Sequence, residues 1–306
     1  MPLVSIIINV RNGAATLREA IDSVMAQSFH DWELIVWDDR STDASANVAA
    51  SYRDPRIRYF LSPVDTTLGP ARAAAMRQVR GEWISFLDQD DLWLPHKLEQ
   101  QMALAADNVG LIYGRTIRFY PSGMERDYDQ WHEYEPLPEG DIFTQLFTKS
   151  CFPAMSSAVF RRSAIEAIGG IPDEINLIPD YYLYVAVARQ YQVRAVQQPV
   201  CRYRMHSGSM TQTSAIQIHQ EALWLVEHWA ASLDPKVVKL CRKRHHTQIA
   251  LAEMRRPASA PLGVRRLLTQ GSVPSQLLRP FMFVFHFIRR NVRRPYWRVD
   301  AKPSQV

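Results

Sequence analysis

Three carboxylates fall within four positions at Asp88-Gln89-Asp90-Asp91, directly after the apolar run Ile84-Ser85-Phe86-Leu87. Like charges this close repel unless something positive neutralises them. At the end of a buried strand they also stand where open α/β sheets bind ligands. A divalent cation with hard oxygen ligands suits such a tip, and it can in turn hold a diphosphate. The same residues also read as a solvated Asp-rich turn before a helix with Pro95 in its first turn. A second pair, Asp38-Asp39, closes the run Glu33–Trp37. One acidic strand end is ordinary, whereas two on the same rim make a site.

The elements that must position these acids can be read from periodicity. Leu3–Ile8 is a β-branched apolar run suited to a buried parallel strand. Thr16-x-x-Glu19 reads as a capping box, and Leu17, Ala20, Ile21 and Val24 follow at helical spacing. Ser41-Thr42-Asp43 can cap a helix after the second strand. Ile57–Leu61 is a third strand, Gly69–Val79 a helix and Trp83–Leu87 a fourth strand. Strands alternating with helices imply right-handed βαβ units and a doubly wound sheet. Residues 120–140 are polar, aromatic and rich in turn formers, which predicts a loop over one side of the site. Residues 215–232 and 236–254 carry helical spacing, and Pro257, Pro261 and Gly263 then suggest a linker.

Charge is distributed unevenly along the 306 residues. The net charge is +5, yet residues 235–306 hold sixteen Lys or Arg against Glu253 and Asp300, a balance of +14. The rest of the chain carries −9, so an acidic body is joined to a basic tail. Within that tail, Leu277 to Ile288 is rich in Leu, Phe and Met and is followed by Arg289, Arg290, Arg293 and Arg294. Bulky apolar residues beside arginines describe a segment lying on an anionic membrane, which the apolar content favours over nucleic acid. Packing of those phenylalanines on the body is the other reading. Cys151, Cys201 and Cys241 are widely spaced, so neither a disulfide framework nor a zinc site is expected, and a reducing cytoplasm fits. Met-Pro-Leu-Val-Ser leads straight into the first strand, so no signal peptide is expected, and no 18-residue apolar stretch suits a membrane span.

The chain resembles glycosyltransferase family 2, inverting enzymes of the GT-A fold that use nucleotide-diphospho-sugars. The resemblance lies in SIIINVRNGAATLREAIDSVMAQSFHDWELIVWDDRSTD and LGPARAAAMRQVRGEWISFLDQDDLWLPHKLEQQ. It continues in SSAVFRRSAIEAIGGIPDE, PDYYLYVAVARQYQV and CRYRMHSGSM, in the family's order. It implies an α/β, mostly parallel central sheet with helices on both faces in a catalytic domain spanning residues 1–212. A helical, basic extension would then occupy 213–306. By the same resemblance, Asp90 is the principal ligand of a Mg²⁺ or Mn²⁺ ion, His206 lies beside it near the diphosphate, and Asp88 lies toward the donor ribose. Asp91 orients its neighbours or caps the next helix. Asp39, with Asp38 beside it, accepts a hydrogen bond from the donor base, and Arg72 and Asn12 complete the donor site. Asp180 is the general base, and Gly169 and Gly170 lie on the acceptor side, where they permit close backbone approach or form a simple turn.

The family pattern is broken at Asn9 and Arg11, where the family has Pro and Tyr, and at Pro179, where it has Glu. A guanidinium at Arg11 can lie flat on a ring as an aromatic does, but the change puts uracil preference in doubt. The implied partners are a nucleotide-diphospho-sugar donor, a glycan or lipid-linked acceptor and the inner face of the cytoplasmic membrane, with no nucleic acid. The implied process is cell-surface polysaccharide assembly. A non-catalytic nucleotide-sugar-binding protein is the main alternative. A glycoside hydrolase using two carboxylates is disfavoured, because hydrolysis needs no nucleotide site.

Overall fold

The structure is a computed structural model that describes residues 2–120, 125–128, 136–148, 153–206 and 213–255, with Leu262 and Arg266. The first apolar run forms β1 (Val4–Val10), buried along nearly its whole length. It leads through α1 (Leu17–Met25) to β2 (Trp32–Asp38), then α2 (Ser45–Ala50), β3 (Ile57–Leu61), α3 (Leu68–Met76) and β4 (Trp83–Phe86). Both faces of β1, β2 and β4 are covered, while the edge strand β3 leaves Tyr59 and Leu61 exposed. Ile7, Ile35, Ile84 and Phe86 point into one cluster, while Ile6, Ile8, Leu34 and Val36 meet Leu17, Ile21 and Val24 of α1 in the other. Burial on two faces is why those three strands read as continuous apolar runs rather than alternating ones.

The second half of the sheet is mixed. After β5 (Leu92–Trp93) and α4 (Lys97–Met102) come β6 (Val109–Phe119), β7 (Glu125–Tyr128) and α5 (Phe143–Thr148). These are followed by β8 (Val159–Arg161), α6 (Arg162–Ala167), α7 (Pro179–Ala188) and β9 (Gln192–Arg204). The strand order is β3-β2-β1-β4-β8-β6-β9-β5, with β7 on β6. Strands β3, β2, β1 and β4 are parallel. The pairs β4–β8 and β8–β6 are antiparallel, and two reversals restore the first direction. Because β6 and β9 are parallel, β9 runs like β4 and ends on the same rim. That is how residues near 90 and near 206 come to meet.

Several expectations need correction. Thr16 occupies the N-cap of α1, but its side chain makes no cap bond. Glu19 instead accepts from Arg204 Nη2 at 2.8 Å, because a guanidinium is a stronger partner than a backbone N–H. Pro95 does not open a helix. Leu92–Trp93 pairs antiparallel with Cys201 and Arg202, and α4 starts only at Lys97. The stretch 120–140 is not all loop, since Glu125–Tyr128 pairs with β6, and most of its other residues lie outside those described. Gly169 and Gly170 form a left-handed turn within the chain. A Cβ there would meet nothing within 4 Å, and what requires glycine is φ of +80° and +77°. These residues end α6, with Gly170 N–H donating to Ile165 O at 3.0 Å.

Two further helices, α8 (Ala215–His228) and α9 (Pro235–Met254), follow the sheet. The first compact unit runs to Cys241, past the boundary at 212 drawn from sequence. The reason is burial: Ala222, Leu225 and Val226 of α8 join the cluster of Ile178, Tyr181 and Tyr182, and Trp229 meets Phe143 edge-on at 5.7 Å. The second unit begins at Arg242, and within it Arg266 pairs with Glu253 at 3.1 Å. Among the described residues no helix is long and apolar enough to cross a membrane. The linker at Pro257, Pro261 and Gly263 and the run from Leu277 to Arg294 lie outside the described residues.

One close approach ties α3 to the segment before α7. Gly69 N–H donates to Asn176 O at 2.8 Å, and a Cβ on Gly69 would stand 1.9 Å from Ile175 O. Gly69→Ala is therefore expected to lower the unfolding free energy by about 1–3 kcal/mol, the usual cost of overpacking. A denaturant midpoint equal to that of the parent would show that this segment yields freely.

Candidate functional site

Strand ends converge on the acidic rim. Arg72, on α3 and only 3% exposed, donates from Nη2 to Asp88 Oδ1 at 2.6 Å. Burial pushes the Asp88 carboxyl up, Arg72 opposes the shift, and the negative charges of Asp90 and Asp180 add to it. Asp180 stands in the first turn of α7, near enough to Asp88 and Arg72 for their charges to act on one another. Burial raises its carboxyl as well, and Arg72 again opposes the shift. One guanidinium thus acts on two carboxylates contributed by different elements. Asp90 Oδ2 lies 2.8 Å from His206 Nε2, just past the end of β9.

Asp91 turns inward. It is buried, accepts from Ser156 Oγ at 2.6 Å and from Arg204 N–H at 2.9 Å, and makes no helix cap. Burial and the charges of Asp88 and Asp90 hold its carboxyl well above the usual range. Ser156 also accepts Asp88 N–H at 3.1 Å, so one hydroxyl fixes both ends of the acidic turn. Arg204 closes the other side by donating from Nε to Asp90 O at 2.7 Å.

The β1 and β2 ends form a second cluster. Asp38 is engaged by Ser41 N–H at 2.7 Å and Tyr59 OH at 2.8 Å, which leaves its carboxylate shaping the loop. Asp39 accepts from Thr66 Oγ1 at 3.1 Å and more weakly from Arg11 Nη1 at 3.4 Å. Arg11 forms a two-pronged pair with Asp65, one arm of which, Nη2 to Oδ2, measures 2.7 Å. Its guanidinium is therefore already held by two carboxylates. Asn12 adopts a left-handed conformation at φ 52°, and its Oδ1 accepts Thr42 N–H at 2.8 Å. Gly169 and Gly170 sit at the end of α6, where their positive φ forms the turn out of that helix.

A divalent ion would find two protein ligands here, Asp90 and His206. Among the described residues no group of three or more His, Cys, Asp and Glu side chains is arranged to hold a metal. Two ligands nevertheless suit an ion whose remaining oxygens come from substrate phosphates, as is usual for Mg²⁺. Burial is the main cause that raises Asp88 and Asp91, and the neighbouring carboxylate charges that add to it also favour a cation at this point.

A curled α/β sheet whose parallel half ends in an acidic rim defines a GT-A transferase. Residues 5–169 match the family described as Glycosyl transferase family 2, and the chain belongs to that family and is a glycosyltransferase. It is 26% identical over 214 residues to the UDP-Glc:alpha-D-GlcNAc-diphosphoundecaprenol beta-1,3-glucosyltransferase WfgD of Escherichia coli, covering 68% of this chain and 79% of that one. The fold is shared with S. aureus TarS 1–349 in complex with UDP-GlcNAc, at TM-score 0.66 and 15% identity over 94% of this chain and 87% of that one. It is shared too with the mannosyltransferase PcManGT of Pyrobaculum calidifontis in complex with GDP-Man and Mn²⁺, at TM-score 0.60 and 18% identity over 96% and 81%.

Sequence reading missed the layer beneath the acids. Trp93 Nε1–H donates to Ser156 O at 2.8 Å, and Gln101 Nε2 donates to Ser157 O at 2.8 Å, so the turn carrying Ser156 is held from below. Lys97 Nζ donates to Ser85 Oγ at 3.0 Å and Gln101 Oε1 at 2.7 Å and lies 4.0 Å from the Trp93 ring centroid. A signal existed: Lys97 and Gln101 are i and i+4 on the same helical face as buried Leu98. Burial pulls the Lys97 ammonium down to about 7, against about 10.4 for an unfolded lysine. Between these values the unfolded chain binds more protons, so the fold gains stability as pH rises. Cys201 acts oppositely: burial pushes its thiol up to about 12, so above about 8.5 the unfolded chain loses a proton that the fold keeps. Stability is expected to rise by up to about 2 kcal/mol between about pH 7 and 8.5, and Lys97→Met should flatten that rise. Denaturant melts at pH 7 and 8.5 read it, and equal slopes in the two proteins would mean that Lys97 remains charged.

Proposed function

We propose that this protein is a metal-dependent, inverting glycosyltransferase that moves a sugar from a nucleotide-diphospho-sugar to a hydroxyl of a glycan or lipid-linked acceptor. The setting would be cell-surface polysaccharide assembly. The observation that carries the reading is the convergence of Asp88, Arg72 and Asp180 beside the Asp90–His206 pair on one rim. Asp180 takes the proton from the acceptor hydroxyl, the oxygen bonds to the anomeric carbon, and the diphosphate leaves with the electron pair of the broken C–O bond. A desolvated carboxylate is a stronger base than a solvated one, which suits that role. Asp90 and His206 would hold Mg²⁺ or Mn²⁺, which neutralises charge growing on the leaving diphosphate. Asp88 and Arg72 orient the donor, and Asp39 and Asn12 border its nucleoside. Arg11 is occupied by Asp65 and Asp39, so a stacking role for it would require those pairs to open.

The test is turnover on UDP-glucose, UDP-GlcNAc and GDP-mannose with and without Mn²⁺. Asp90→Ala should abolish nearly all metal-stimulated turnover while the protein stays folded. Asp180→Asn should lower kcat by roughly 10²-fold or more, the scale of general-base catalysis, with donor affinity little changed. Full activity of Asp90→Ala in EDTA would refute the metal reading, and near-normal turnover of Asp180→Asn would move the base to another carboxylate.

The acceptor reading extends to the tail. Its +14 charge and the apolar run from Leu277 to Ile288 support peripheral attachment to the inner face of the membrane, next to a lipid-carried acceptor. Each basic residue at an anionic surface contributes about 1 kcal/mol, with apolar burial in addition. Truncation after Ala260 should release the protein from anionic liposomes yet spare transfer to a short soluble acceptor. Equal liposome binding by both forms would leave the tail as a packing element.

A further inference from the structure

Helix α7 has Ile178 as its N-cap residue with Pro179 next, so the cap position offers no side-chain acceptor, and within its first turn Tyr181 N–H reaches Asp180 Oδ1 at 2.8 Å. The backbone donors ahead of the helix are met from elsewhere. Glu221 of α8 accepts Asn176 N–H at 3.2 Å, Leu177 N–H at 2.9 Å and Ile178 N–H at 3.2 Å. Glu221 lies on the apolar stripe of α8, three residues after Ile218 and four before the buried Leu225. A carboxylate in such a stripe is costly unless donors meet it, and three backbone N–H groups do so. Its charge also opposes the positive end of the α7 dipole.

The same short segment is gripped from the other side by α3. Gly69 N–H reaches Asn176 O at 2.8 Å, and Thr67 Oγ1 donates to Asn176 Oδ1 at 2.6 Å. Since α3 carries Arg72 and α7 carries Asp180, residues 176–178 set the distance between that guanidinium and the carboxylate it acts on. Glu221 fixes one side of this tie.

We propose that Glu221 is a positioning residue for glycosyl transfer, holding the start of α7 so that the Asp180 carboxylate is aimed at the acceptor. The inference rests on the reading of Asp180 as the base. Glu221 acts through Asp180 and touches no substrate, so a carboxylate outside residues 1–212 takes part in the reaction. A mere stabilising cap would lower the melting temperature without selective loss of turnover.

The test compares kcat and donor KM for wild type, Glu221→Ala, Glu221→Gln, Asp180→Asn and the Glu221→Ala/Asp180→Asn pair. It uses whichever of the three nucleotide sugars above turns over, with thermal melts alongside. Glu221→Ala should lose about 10- to 100-fold in kcat, the scale of a misplacement of about 1 Å, with donor KM within about twofold. Glu221→Gln keeps an acceptor oxygen and should recover most of the rate. In the Asp180→Asn background, Glu221→Ala should add little, because residues acting as a unit are not additive. If Glu221→Ala does not fold, Glu221→Asp, which keeps the charge but shortens the reach to residues 176–178 by one methylene, makes the same comparison alone and on Asp180→Asn, and an unchanged kcat there overturns the role of Glu221. Normal kcat in Glu221→Ala while Asp180→Asn is impaired overturns the role of Glu221 alone, as would losses that multiply in the double variant. Near-normal kcat in Asp180→Asn overturns the base itself, and this inference with it.

Discussion

The site depends on a buried guanidinium shared by carboxylates that would otherwise repel. Arg72 is nearly inaccessible, bonds Asp88 and opposes the upward shift of Asp180. A buried charge without partners is strongly destabilising, so the placement of Arg72 constrains everything around it. Helix α3 must start close to the segment before α7, which is why only glycine is accommodated at position 69. Its buried face is lined with Ala71 and Ala75, small residues that let the helix lie close to the sheet and deliver Arg72 to the rim.

The three aspartates of the acidic turn divide three tasks. Asp88 faces Arg72, Asp90 faces His206, and Asp91 is turned into the protein to anchor the turn through Ser156 and the end of β9. Beneath them the serine turn, Trp93, Gln101 and Lys97 form a polar layer in which donors and acceptors are matched. Such a layer holds a charged loop in one conformation, because slippage would strand a polar group in a dry interior. The preorganisation of the rim thus comes from residues that never reach it.

Much of the fold was legible because strands buried on two faces announce themselves as apolar runs, two of them ending in acids. Val4–Val10, Trp32–Asp38 and Trp83–Phe86 lie where periodicity put them. What could not be read was competition between partners. Thr16 and Glu19 have the spacing of a capping box, but spacing cannot show that Arg204, distant in sequence, claims the carboxylate. Arg11 likewise reads as a free guanidinium until Asp65 is brought to it. Gly169 and Gly170 were recognisable as special, though sequence alone does not separate close approach from a left-handed turn. Glu221 was hidden because a helix after the family's last block reads as an appendage, while its acid grips the segment that starts α7.

The Asp88–Arg72 pair joins residues 16 apart in sequence, whereas Asp90 and His206 are 116 apart. The two halves of the rim therefore close loops of very different length. Local βαβ units need little chain search, while the parallel pairing of β6 with β9 has to bring distant segments together first. An order of assembly is expected in which the half holding Arg72 is structured while His206 is still absent from the rim. During synthesis the emerging chain would then present its acids and their guanidinium before it can complete the Asp90–His206 pair, so ion-binding competence would arrive as a late event of maturation.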